Sequence, residues 1–261
     1  MKRWLAFGAV AGVLLALVIF APAAWLASAV ASRSGGYFLL SDARGSVWSG
    51  SAALVLTGGE GSRDASALPG RLQWNIGLDG AAIVVRLRHA CCLAGEQRLR
   101  IVPGLGRMRI ELQPAGGRGP LGQCPAAWLA GLGTPWNTLQ LSGALQLSTP
   151  GIVLESASGR WTFAGRADLE LQSLASRIST LDILGSYRLT LAGDGSQREG
   201  TSLLLTTTSG ALQLTGNGQI AAGRVRFRGQ ASAAPGAEAA LNNLLNIIGR
   251  RQGAQSVISI G

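Results

Sequence analysis

Histidine is nearly missing from this chain of 261 residues: His89 stands alone. A Ser-His-Asp arrangement therefore has one candidate base, and it sits in a basic stretch beside Arg86 and Arg88. Carboxylates are scarce as well. The 13 acidic residues are scattered singly, with none paired as an acid/base dyad would be. No G-x-S-x-G, P-loop, EF-hand or H-E-x-x-H pattern occurs. These absences argue against an enzyme. No catalytic residue, cofactor or metal is expected, and a hydrolase built on His89 ranks last among the functions weighed.

Charge of either sign is missing between Arg3 and Arg33. A bilayer core of about 30 Å takes about 20 apolar residues as helix, and this stretch is longer. Trp4 and Trp25 stand 21 positions apart. That is about 31 Å of helix, a spacing that suits an indole at each headgroup level. The expectation is one transmembrane anchor over residues 4–32, a cytoplasmic tip at 1–3, and a domain at 33–261 outside the cytoplasm. A cleaved signal peptide is the alternative, with Ala29-Val30-Ala31 as its site, but signal h-regions run only ~7–15 residues. Gly8, Gly12 and Ala16 form a small-residue stripe, a candidate helix-pairing face, although a segment so rich in Gly and Ala produces such stripes by chance.

After Arg33 the chain lacks long hydrophobic runs and shows short alternating ones instead. Ala52–Leu56, Leu72–Ile76, Ile83–Leu87, Leu99–Val102 and Met108–Leu112 alternate apolar and polar, as do nine-residue and shorter runs from Leu139 to Arg228. Gly or Pro punctuates them, as at Pro69-Gly70, Pro103-Gly104 and Pro150-Gly151. This spacing predicts an all-β domain: a meander of antiparallel strands, curved, and open or groove-like. Two helical segments interrupt it. Pro125–Leu132 has Pro at a first-turn position, and residues 237–249 place Leu241, Leu244, Leu245 and Ile248 on one face as a short C-terminal helix. Residues Gly58–Ala67 read as an exposed loop.

Lysine is confined to Lys2, so the domain's basic residues are all arginine, several at period two. Arg86 and Arg88, Arg98 and Arg100, Arg107 and Arg109, then Arg224, Arg226 and Arg228 each share one strand face. Plain alternation with a solvated face accounts for this and is favoured. The sharper reading makes Arg224, Arg226 and Arg228 an interface for an acidic partner or anionic membrane. Outside the cytoplasm, nucleic acid is not a partner. Trp136, in the Gly- and Pro-bounded turn Gly131–Asn137, is a second interface candidate, with packing against the sheet as its plainer role.

The three cysteines are Cys91, Cys92 and Cys124. A disulfide from one of the adjacent pair to Cys124 would close a loop of about 34 residues, worth about 3–4 kcal/mol. On a strand the two neighbours would face opposite ways, leaving the third thiol free or buried. Buried free thiols rank second. Zinc, with His89 as a further ligand, ranks a distant third, because no C-x-x-C or H-x-x-x-H spacing is present.

Several strings resemble the type II secretion system protein N family, also called general secretion pathway protein N. They are Gly45-Ser-Val-Trp-Ser-Gly, Pro69-Gly-Arg-Leu-Gln-Trp, Gly133-Thr-Pro-Trp-Asn-Thr-Leu-Gln-Leu-Ser-Gly, Leu184-Gly-Ser-Tyr-Arg-Leu and the stretch from Ala240 to Arg251. The resemblance covers nearly the whole chain. It implies a single-pass bacterial inner-membrane protein with its main domain in the periplasm. Its implied role is to link or stabilise the inner-membrane platform proteins, L and M, and the outer-membrane secretin while folded proteins are exported. It carries no catalytic residues. The competing reading is a membrane-anchored β-groove protein that binds or transfers lipid; an unfilled apolar groove would favour it.

Overall fold

The computed structural model describes residues 12, 16–114, 119–196 and 200–261. A helix, α1 (Ala23–Arg33), leads into β1 (Phe38–Gly45), β2 (Ser49–Thr57), the short β3 (Ala65–Ala67), β4 (Leu72–Asp79) and β5 (Ala82–His89). Next come β6 (Gln97–Gly104), β7 (Arg107–Gln113) and β8 (Gly119–Pro125), then a 3-10 helix (Ala126–Leu132) and one helical turn, α2 (Trp136–Leu139). Two long strands, β9 (Leu141–Ala157) and β10 (Arg160–Ser176), precede β11 (Gly185–Asp194), β12 (Thr201–Gly210), β13 (Leu212–Ala221) and β14 (Arg224–Ala233). Helix α3 (Glu238–Ile248) and the hairpin of β15 (Arg250–Gln252) and β16 (Gln255–Ile260) come last.

All these strands join one antiparallel sheet in the order β1-β2-β4-β5-β6-β7-β9-β10-β11-β12-β13-β14-β16-β15, with β3 on β2 and β8 on β9. β1 and β15 are its two ends and do not meet, so the meander expected from the alternation is open rather than closed. Pro150-Gly151, expected as a turn, instead lies inside β9 at a bulge. There the Thr149 hydroxyl donates to the Arg166 carbonyl and accepts from the Gly151 N–H, standing in for ladder bonds that a proline nitrogen cannot supply.

Cross-strand register sorts the side chains onto two faces. On one, Leu78, Ile83, Ile101, Ile110, Leu154 and Phe163 stand opposite one another across six consecutive strands. Farther along, Leu169, Leu189 and Leu205 continue the same face onto Gly216, Gly229 and Ile258. The other face carries arginines and their partners. Both helices cover the apolar face, at opposite ends of the sheet. α1 turns Ala23, Leu26, Ala27 and Val30, at helical spacing, onto Leu40, Ala52 and Trp74. α3 buries Leu241, Leu244 and Leu245 against Leu145, Leu184, Tyr187 and Leu212.

The N-terminal expectation is revised. Among the described residues no helix is long and apolar enough to cross a membrane. Gly12 and Ala16–Ile19 are helical, the helix stops at Phe20, Pro22 bridges to Ser46, and α1 starts afresh and docks on the sheet. A span reaching residue 32 as one helix is therefore not what the described part of residues 4–32 forms. The rest of that segment, Gly8 included, lies outside the described residues. Sequence could not separate the two outcomes, because a docked Ala-rich helix and a spanning one are equally free of charge.

Candidate interaction surfaces

The strands have two unlike ends. At one, the hairpins β4–β5, β6–β7, β9–β10 and β13–β14 turn tightly, and β16 finishes beside them. Here the apolar face lacks a covering helix. Leu78 is 76% exposed and Trp161 52%, and Val225 and Ile260 are also open to solvent, as is Leu105 in the β6–β7 turn. The β1–β2 turn lies towards this same end, since Ser49 pairs with Asn75 four residues from the end of β4. It holds the N-terminal segment: Trp48 Nε1 donates to the Val18 carbonyl at 2.8 Å and the Val47 N–H to the Ala21 carbonyl at 2.9 Å. Leu17, Val18, Ile19, Phe20 and Trp25 are exposed nearby in the chain. The opposite end of the strands is closed by α3, the 3-10 helix, α2 and the β5–β6 turn.

On the basic face the arginines fall into two groups. Through β4–β11 most of them are matched with carboxylates, Arg100, Arg107 and Arg160 being without an ion pair among the described residues. Glu96 takes Arg86, Arg88 and Arg98; Arg109 bridges Glu111 and Glu155; Arg188 holds Glu170. Arg166 holds Asp168, and with Thr190 it keeps that carboxyl below its usual range. Arg224, Arg226 and Arg228 differ. They stand exposed on β14 opposite Ala221, Gln219 and Asn217, and among the described residues none of them pairs with a carboxylate. β14 thus differs in that none of its three arginines is neutralised by a carboxylate among the described residues, whereas β6 and β7 each pair one of their two. The plain solvated-face reading fits the first group, and the second keeps its candidacy.

Trp136 opens α2 and packs half-buried against the larger core, which is the plainer of its two expected roles. Its turn is tied to the supposed loop 58–67: Asn137 Nδ2 donates to Asp64 Oδ1 at 3.0 Å, and part of that loop pairs as β3 with β2. Gly12 and Ala16 are exposed, with open space around Gly12.

Cys91 and Cys92 lie in a turn, not on a strand, and Cys124 lies on β8. His89 ends β5, and the N–H groups of Cys92 and Leu93 both donate to its carbonyl. The turn brings the Cys91 and Cys92 sulfurs within 4.8 Å of each other and of a His89 ring nitrogen, where strand neighbours would face opposite ways. β8 is fastened against it by the Ala94 N–H on the Leu121 carbonyl at 2.8 Å and by Gln97 Nε2 on the Ala94 and Leu121 carbonyls. Gly122 fits so tightly that a Cβ there would stand 1.9 Å from the Cys92 carbonyl oxygen. All three thiols are free, and burial pushes Cys92 up to about 12. The spatial meeting of β8 with this turn has no sequence signal.

An open antiparallel sheet with one apolar and one arginine-bearing face, and short helices packed on its core, defines an all-β protein with two unlike surfaces. The chain belongs to the type II secretion system protein N family, whose model matches residues 38–260. No curated protein and no solved structure matches it. Membership makes the chain a membrane-associated component of the type II secretion system that works with other components of that machine.

Proposed function

We propose that the protein is a non-enzymatic inner-membrane component that links or stabilises the secretion platform and the outer-membrane secretin. The apolar segment before Pro22 anchors it, N-terminus inward, and the sheet domain occupies the periplasm. One observation carries the reading: the hairpin end of the strands holds both the N-terminal segment and the exposed Leu78, Leu105, Trp161, Val225 and Ile260. Indoles and aliphatics beside arginines suit a membrane interface. From that end β9 and β10, 17 residues each, reach up to about 56 Å at ~3.3 Å per residue. The helix-covered end is then held well out from the membrane, where the platform's periplasmic parts and the secretin are within reach.

Photocrosslinkers placed at Trp161 and at Trp136 in the native membrane test this. Lipid adducts at Trp161 with secretion-platform or secretin adducts at Trp136 support it. Recovery of no secretion component from either position sinks it. A second reading, lipid binding along the uncovered apolar face, is favoured by the row from Leu78 to Phe163. Phospholipid copurifying with the detergent-extracted chain, and lost on Ile101→Asp, would move that reading to first place.

A further inference from the structure

His89 and the three cysteines have no part in the contacts proposed above. His89 is 4% exposed, and neither Nδ1 nor Nε2 has a hydrogen-bond partner. An unsatisfied buried polar group costs about 1–3 kcal/mol, a cost that a ligand on the ring removes. One ring nitrogen and the Cys91 and Cys92 sulfurs lie within 4.8 Å of one another. Donors around a zinc ion sit ~2.0–2.3 Å from it, hence about 3.5–3.9 Å apart. Contraction by about 1 Å, within reach of side-chain rotation, converts one arrangement into the other.

Cys124 stands on the neighbouring strand, outside that 4.8 Å group. It lies two residues beyond Gly122, the point where β8 touches the Cys92 backbone. We propose that His89, Cys91 and Cys92 bind zinc and draw in Cys124 from the adjacent β8 as fourth ligand, giving a structural site of one imidazole and three thiolates. The absence of C-x-x-C spacing is no obstacle, because a turn and a strand from a distant segment supply the geometry that such spacing usually supplies. Each thiol that ligates gives up its proton, so three protons leave per ion and nothing is oxidised or reduced. The dication supplies the charge that makes buried thiolates tolerable. Exposed Cys91 offers the entry path. Once bound, the ion staples the β5–β6 turn to β8 at the helix-covered end of the sheet.

Full-length protein extracted in detergent, kept reduced and stripped with a chelator, is titrated with zinc against a chromophoric competitor, and bound metal is counted by mass spectrometry. One zinc per chain is expected, weakened at least about tenfold by Cys92→Ser, Cys124→Ser and His89→Gln. Stoichiometry well below one, or an affinity those substitutions leave unchanged, overturns the proposal. Should the variants fail to fold, cobalt(II) on the wild-type chain decides. Thiolate-to-cobalt charge-transfer bands with intense tetrahedral ligand-field bands support the site, and weak octahedral bands refute it. A disulfide from Cys124 to Cys91 or Cys92, found by peptide mapping of protein isolated without reductant, refutes it too.

Discussion

The Trp48 indole N–H donates to the Val18 carbonyl at 2.8 Å, joining the β1–β2 turn to the segment that precedes the sheet. Together with the bond from the Val47 N–H to the Ala21 carbonyl, it fixes where the chain leaves the domain. Trp48→Phe keeps most of the ring and removes the donor. The expected cost is about 0.5–1.5 kcal/mol, concentrated locally. Hydrogen exchange at the Val47 amide should quicken in the variant while amides of β9 and β10 keep their protection. Unchanged exchange at Val47 would mean that the tie does not hold the segment.

Phe227 explains a cluster of glycines. Its ring lies over Gly216, Gly218 and Gly229, and a Cβ at Gly216 would stand 2.4 Å from Phe227 Cζ and 2.9 Å from the Arg228 carbonyl oxygen. Gly216→Ala should therefore lower the urea midpoint, by an amount equivalent to about 1–3 kcal/mol of overpacking. Phe227→Ala should cost about 2 kcal/mol, below the fully buried range because the ring is only half-buried. In the double variant the penalties should fall short of their sum, since the ring clash is gone and only the backbone contact remains. Additive penalties would show that the ring and the glycine do not compete for one space.

Much of this fold is visible in the alternation, and what was not visible depends on partners distant in sequence. Leu72–Ile76 and Ile83–Leu87 lie within β4 and β5, and Leu241, Leu244 and Leu245 form the buried face of α3 as their spacing implies. Pro125 does precede a helix, of the 3-10 kind. β8, β15 and β16 escaped notice. β8 carries two glycines and two prolines in seven residues, a composition that reads as loop. Only pairing with β9, and β14 for the final strand, makes these segments extended. The division of the arginines into matched and unmatched groups needs register, which no period reveals. The thiol cluster was hidden for the same reason: one turn had to be recognised as a turn, and β8 had to be placed against it.

Asp168 gives the sheet a pH dependence of known sign. Arg166 donates to its carboxylate through Nε at 2.9 Å and Nη2 at 3.0 Å, and Thr190 donates from the next strand. These bonds depress the folded-state pKa below the unfolded value, so the stabilisation is present at neutral pH and is lost as pH falls through the depressed value. Arg166 is largely exposed, which holds the contribution to within about 1 kcal/mol. Asp168→Asn should lie below wild type in urea midpoint at pH 7, with the gap closing below about pH 4. A gap that persists in acid would assign the effect to packing rather than to charge.

The unmatched ladder of Arg224, Arg226 and Arg228 makes the last prediction. Exposed and unpaired, these side chains contribute little to folding, so replacing all three with Gln should move stability by no more than roughly 0.5 kcal/mol per site. If the ladder meets an acidic partner, the yield of crosslinked secretion components should drop roughly tenfold, and more steeply as salt rises. The same triple change to Lys separates two kinds of contact. Arginine grips carboxylates with a planar fork, which lysine cannot reproduce, whereas a diffuse anionic surface responds to charge alone. Loss of crosslinking in the Lys variant points to a carboxylate-bearing protein surface. Retention with Lys and loss with Gln points to charge without geometry, as an anionic leaflet would give. Full retention in both variants would return the ladder to an ordinary solvated face.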